Sequence, residues 1–351
     1  MRILPHESRS GGWPEVSQNR RGEGIRRKTR GSTDVSPLRG RENFPFFLSD
    51  NYFRKAMMEQ EWTKEDFGIA TFPLMEEGLK GFMDFAASFG LKYVEIRSER
   101  PYALPQDVER GELESLQEKI SSLSLSPIIH SAVYDINVAS LNPLIRKASI
   151  RQALESIRLA AKIGAKIVII HPGRLPKDYP SMYLKNSRIN LLTSLNVMAR
   201  MAGRMGVMLA IENSPRGRAH RLVTSPQEHL HILRRVGSPY LGALLDIGHA
   251  HTWGVDLREY IRSLADYIFI FHLHDNRGQA DEHLALGKGT IDFRGVGEEI
   301  QRMKKHHPVI LCMRRKEDIA ESMRFLEGMG KSKGLGRILG KRGVLHTDVK
   351  S

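Results

Sequence analysis

Eight short apolar runs recur along the chain, their starts 25 to 41 residues apart. They read FGIAT (67–71), KYVEIR (92–97), SPIIH (126–130), KIVIIH (166–171), VMLAIE (207–212), LGALLD (241–246), YIFIFH (267–272) and PVILCM (308–313). Nearly continuous apolar runs of this length, rich in Val and Ile, mark strands buried on both faces of a parallel sheet. Helical spacing fills the gaps. SIRQALESIRLAAKIG places Ile150, Leu154, Ile157 and Ala161 on one face and stops at Gly164, while INLLTSLNVMARMAG does the same with Leu191, Leu195, Met198 and Ala202. Eight strand-then-helix units predict one closed (β/α)8 TIM barrel over residues 57–330. A doubly wound open sheet is disfavoured, because no Gly-rich phosphate fingerprint follows the first run. LGKG at 286–289 follows a polar loop and reads as a tight turn.

The 351 residues, 40% of them hydrophobic, suffice for one barrel-sized core. The net charge of +14 invites a nucleic-acid reading until it is located. Residues 1–56 carry +6 and residues 331–351 carry +5, which leaves +3 for the barrel. Residues 1–56 are rich in Gly, Ser and Arg without apolar periodicity, and are expected to be a flexible, disordered basic tail. Residues 331–351 read as a second basic tail. Such tails could tether DNA. The single Cys312 excludes an internal disulfide and fits a reducing compartment. No run approaches the roughly 18 apolar residues of a membrane span, and no signal-peptide core opens the chain. A cytoplasmic protein with no membrane partner is expected, and nothing in the pattern fixes its oligomeric state.

In such barrels the strand C-termini converge on one mouth. Here strands two to eight would deliver Glu95, His130, His171, Glu212, Asp246, His272 and Cys312 to that rim. A ring of imidazoles and carboxylates is costly to bury without compensating cations or hydrogen bonds. The flanking loops add His249 after Asp246, and Asp281 with His283 after His272. Mixed His and carboxylate ligation suits Zn, Mn, Fe or Co better than Ca, and one to three ions, Zn or Mn first, are expected. Arg97, Arg174 and Arg277 are candidates to meet a substrate phosphate. Glu95 and His274 are candidates for substrate hydroxyls, with Glu95 and the pair His274 and Asp275 also readable as supports behind the ligands. His220, His229, His231, His306 and His307 fall on helices or loops and receive no role.

The segments IIHSAVYDIN, IIHPGR, AIENSP, LLDIGHAH and FHLHDNRGQADEHLALGKGTIDF occur in this order. Together they resemble the xylose isomerase-like TIM barrels, the superfamily of endonuclease IV and many sugar isomerases and epimerases. The likeness runs from Gly68 to Glu327. For the endonuclease branch it implies three zinc ions on nine ligands, of which His130, His171, Glu212, Asp246, His249, His272, Asp281 and His283 match eight. For the ketose epimerase branch it implies one divalent ion on Glu212, Asp246, His272 and the strand-eight residue, with the two outer carboxylates moving the proton. Both branches usually carry Glu at the end of strand eight, where this chain has Cys312, still a potential thiolate ligand.

Three functions follow from the resemblance. The first expectation is a sugar or sugar-phosphate isomerase or epimerase, in which Glu212 abstracts a proton, His249 orients a hydroxyl and Cys312 stands at the second acid/base position. The second is a zinc phosphodiesterase acting at abasic sites in DNA. The third is a barrel that binds a metal or metabolite without turnover.

Overall fold

In the computed structural model each apolar run forms a strand. The structure describes residues 62–71, 78–303 and 305–331. The expected N-terminal tail, and the C-terminal one beyond residue 331, lie outside the described residues. The barrel strands are β1 Phe67–Ala70, β2 Tyr93–Ser98, β3 Ser126–Ser131 and β4 Ile167–Ile170, followed by β5 Met208–Glu212, β6 Leu241–Asp246, β7 Ile268–Leu273 and β8 Val309–Leu311. Every neighbouring pair is parallel, and β1 pairs with both β2 and β8, so the sheet closes as an eight-stranded barrel. Closure removes the exposed edges that an open sheet would leave.

The apolar runs serve two cores. One residue from each of seven strands, Ala70, Ile128, Ile169, Ala210, Leu244, Ile270 and Ile310, fills the barrel interior together with Cys312. The alternate positions, among them Val94, Ile129, Val168, Leu209, Leu245 and Phe271, face outward against the surrounding helices. That alternation explains why runs buried on both faces look continuous in the sequence.

Helix Pro143–Ile163 begins six residues before the segment expected from periodicity. Asn142 accepts hydrogen bonds from the backbone N–H of Leu144 and Ile145, and Pro143 occupies the first turn, so the true start lies at this cap. Its buried face is also rotated from the expected one. Ser149, Ala153, Ser156 and Ala160 face inward with Ile157, while Ile150, Leu154 and Ala161 are only partly buried. Small side chains let this helix pack closely, and their weak hydrophobicity hid the face. In helix Leu184–Met205, by contrast, the expected Leu191, Leu195, Met198 and Ala202 are all buried. Among the described residues, no helix is long and apolar enough to cross a membrane.

A candidate metal centre at the barrel mouth

The site follows from strand periodicity. Ile128, Ile169, Ala210, Leu244 and Ile270 point into the barrel, so the residues two positions further on point the same way. Those residues are His130, His171, Glu212, Asp246 and His272, and in the same series His274 lies two beyond His272. Asp246 is paired with His272 across β6 and β7, and Arg97 with His130 across β2 and β3.

Their side chains assemble into three contiguous groups, within each of which the candidate ligand atoms lie inside 4.8 Å of one another. The first is His130, His171 and Glu212; the second is Glu212, Asp246 and His272; the third is His249, His274, Asp281 and His283. Glu212 belongs to two groups. All eight residues expected as ligands are present, and His274 joins them although the sequence reading placed it among substrate or supporting groups. Its signal was visible: an extended His-x-His puts both rings on one face.

Four of the histidines are oriented by a hydrogen-bond acceptor behind them. His130 Nδ1 lies 2.8 Å from the Ser131 carbonyl, His249 Nδ1 2.8 Å from that of Asn213, and His283 Nδ1 2.6 Å from that of Cys312. His272 Nε2 lies 2.6 Å from Glu95 Oε2. Each ring then turns its second nitrogen toward a carboxylate. The resulting separations are 3.6 Å for His130 to Glu212, 3.5 Å for His249 to Asp281, 3.3 Å for His283 to Asp281, and 3.6 Å for His272 to both Glu212 and Asp246. Most are too long for good hydrogen bonds. They match the edge of about 3.4 Å of a tetrahedron built on metal–ligand bonds of about 2.1 Å. Glu212 Oε2 lies 2.7 Å from His171 Nε2 and His274 Nε2 3.1 Å from Asp246 Oδ1, but buried Asp246 Oδ2, Asp281 Oδ1 and His274 Nδ1 lack any well-aligned hydrogen bond among the described residues. Orphaned acceptors facing fixed imidazoles are what a divalent cation would satisfy, so the donor set fits such an ion.

Without a cation the groups neutralise one another. Burial opposes a charge on His249, yet Asp246, Asp281 and Glu212 outweigh it and hold its pKa up at about 10. Burial likewise opposes ionisation of Asp246, but His249, His274 and His272 keep it well below the usual carboxylate range. Asp281 is depressed in the same manner by His249 and His283. A cation entering here displaces protons from the imidazoles, so its binding strengthens as pH rises.

A turn of the β6 loop brings these elements close together. A Cβ on Gly248 would collide with the His274 ring, so only glycine lets the segment after Asp246 lie against it. The loop after β7 is clamped by buried Asp275. Its carboxylate accepts backbone N–H bonds from Asn276, Gly287, Gly289 and Ile291. Asp275 therefore shapes the loop carrying Asp281 and His283, with Gly287–Gly289 forming the expected tight turn.

The other expected site residues divide. Glu95 is buried and engages His272. Cys312 lies beside His272 but joins none of the three groups; its thiol packs in the apolar interior and is pushed up to about 12, chiefly by burial. Arg97 is buried against Glu99 at 2.7 Å and lies 5.2 Å from the Tyr134 ring. Arg277 is exposed and paired with Glu282 at 2.6 Å. Arg174 lies in a two-residue ribbon, Arg174–Leu175 against His220–Arg221, at one side of the mouth. Of the histidines left without a role, His229 is fully buried between the Ile211 carbonyl and Tyr260, and burial lowers its pKa to about 4, as suits a neutral core residue.

Residues 83–329 match a family model described as "Xylose isomerase-like TIM barrel". The protein MJ1311 of Methanocaldococcus jannaschii is 29% identical over 240 residues, covering 68% of this chain and 80% of the relative. A "Probable endonuclease 4" of Thermoplasma acidophilum is 31% identical over 180 residues, which are 48% of this chain and 59% of the relative. Among solved structures, a D-tagatose 3-epimerase-like protein is 26% identical with a TM-score of 0.68, covering 75% of this chain and 96% of its own.

Proposed function

The chain belongs to the xylose isomerase-like TIM-barrel family, and from that premise we propose that it is a divalent-metal-dependent phosphoester hydrolase of the endonuclease IV kind. The observation that carries this reading is the presence of three contiguous ligand groups, two of them joined through Glu212. A single-ion sugar epimerase would need the group of Glu212, Asp246 and His272 with the strand-eight residue, where Cys312 joins no group. There His249 would orient a substrate hydroxyl, but His130 and His171 on one side, and Asp281 and His283 on the other, are assigned no task. The resemblance to "Probable endonuclease 4", which includes a stretch 31% identical, supports the same choice.

Ions held by these groups would supply an acidified water and positive charge for the phosphoryl and leaving oxygens. The chain's own residues do the rest. Glu212, buried among His130, His171 and His272, stays ionised at neutral pH and fixes the spacing of the first two groups. Backbone carbonyls and Glu95 set the orientation of four imidazoles before substrate arrives, which lowers the ordering cost of the reactive arrangement. Burial of Asp246 and His274 keeps bulk water from the middle of the centre.

A second reading, ketose epimerisation, is favoured by the D-tagatose 3-epimerase-like protein, whose likeness extends over 96% of its chain. That reaction as the family performs it uses a carboxylate on each side of the sugar carbon. Glu212 supplies one. At the opposite position stands Cys312, a neutral thiol at physiological pH and a poor proton shuttle. The two readings part in one assay. The full chain, loaded with zinc or manganese, is given a duplex bearing one abasic site and, separately, a set of ketoses in deuterated water. Chelator-sensitive strand cleavage without deuterium uptake is expected. Deuterium incorporation with an intact duplex would transfer the assignment to epimerisation.

A further inference from the structure

Beside the first ligand group the mouth holds a small, open concavity lined by Ser131, His171, Gly173, Arg174, Ser214 and Arg221 among others. We propose that Arg221, with Arg174, forms a phosphate-binding subsite there, holding a phosphate group of the substrate next to the one that reacts. This deepens the hydrolase reading and rests on it for the word substrate, while the anion site itself stands on the two arginines.

Arg221 is partly buried, and its Nε, itself buried, has no hydrogen-bond partner among the described residues. Arg174 and Arg221 sit directly opposite each other in the antiparallel ribbon, and like charges in opposed positions are destabilising unless something offsets them. Their proximity is felt electrostatically. Burial first, and Arg174 second, lower the pKa of Arg221, against a raising influence from Asp281. Three other arginines are engaged by carboxylates instead: Arg97 with Glu99, Arg100 with Asp107, and Arg277 with Glu282. A guanidinium that keeps a buried donor unspent, next to a second guanidinium, suits a phosphate, whose oxygens can accept two parallel N–H bonds.

The chain path accommodates this arrangement. A Cβ on Gly217 would stand 2.9 Å from Arg221 Nη2, so a side chain there would displace the end of the guanidinium. His171 lines the same concavity and belongs to the first ligand group, which places the subsite beside the centre.

The test is calorimetric titration of the full chain with inorganic phosphate, as purified and after chelation, since phosphate also binds metal ions. The chelated wild type is expected to bind one phosphate. Arg221→Gln should weaken that binding at least tenfold and Arg174→Gln severalfold, both with melting temperatures near that of the wild type. Arg277→Gln, which removes a rim charge tied to Glu282, should leave it unchanged. Equal weakening by Arg277→Gln and Arg221→Gln would reduce the effect to general charge and overturn the subsite, as would wild-type affinity in Arg221→Gln. Gly217→Ala offers an independent check, because it should weaken phosphate binding without removing a charge. An abasic oligonucleotide and a ketose phosphate are then used as competitors. Displacement by either identifies the source of the phosphate group, and displacement by neither refutes a substrate subsite. Loss of phosphate binding in Arg221→Gln without DNA cleavage by the wild type would sink the hydrolase reading alone. Cleavage with unaltered phosphate binding in Arg221→Gln would sink the subsite alone.

Discussion

Replacing Glu212 with Gln is expected to empty two of the three ligand groups at once. Its carboxylate is the single side chain common to the His130–His171 group and the Asp246–His272 group. A neutral amide of the same shape keeps the packing but removes the negative charge that both positions share. Bound metal should fall from about three ions to about one. Activity should fall on the order of a thousandfold, beyond the roughly 10- to 100-fold typical when a residue that merely supports a ligand is lost. Metal analysis and turnover on the same preparation check this. Unchanged occupancy in Glu212→Gln would mean that the shared carboxylate does not join the two groups.

The second large effect concerns strand eight. Cys312 is 2% exposed, and its thiol is surrounded by the barrel-interior residues, with Glu95 and Asp246 close enough to raise its pKa. Cys312→Glu puts a third carboxylate into that space. In chelated protein this is expected to cost about 3 kcal/mol or more, the usual scale for an uncompensated buried charge. Zinc should restore the loss, because the new carboxylate can complete the group of Glu212, Asp246 and His272. The gap in melting temperature between chelated and zinc-loaded protein should thus be several degrees wider in Cys312→Glu than in wild type. The same substitution supplies the second carboxylate that epimerisation lacks, so deuterium uptake from solvent into a ketose is the product assay to run beside it. An unchanged gap would place the strand-eight position outside the centre.

What the sequence discloses depends on distance along the chain. The eight strands and their order are legible because each run is local and its helices are amphipathic. The ligand residues are legible because every one of them closes a run or lies within a short loop after it. Period two alone puts His130, His171, Glu212, Asp246 and His272 on the inner face once Ile128, Ile169, Ala210, Leu244 and Ile270 are assigned there.

Other features depend on register between segments far apart. Glu95 and His272 are separated by 177 positions, and nothing in either strand alone announces that they meet. Asp275 looks like one more acid in a polar loop until four backbone donors are seen to converge on it. Arg221 escaped attention because its significance lies in what it lacks, a partner for a buried nitrogen, and in facing Arg174 across a two-residue ribbon. From the sequence an isomerase or epimerase comes first, because a net charge of +3 over residues 57–330 suits a small substrate better than duplex DNA. Spatial grouping of the remaining ligands moves the balance toward a larger centre.

That centre is most directly tested by elemental analysis of the protein, purified without added metal or chelator. The account predicts about three divalent ions per chain, falling to about one in Glu212→Gln. A wild-type content of one ion, bound through Glu212, Asp246 and His272 alone, would contradict it and return the protein to epimerase chemistry.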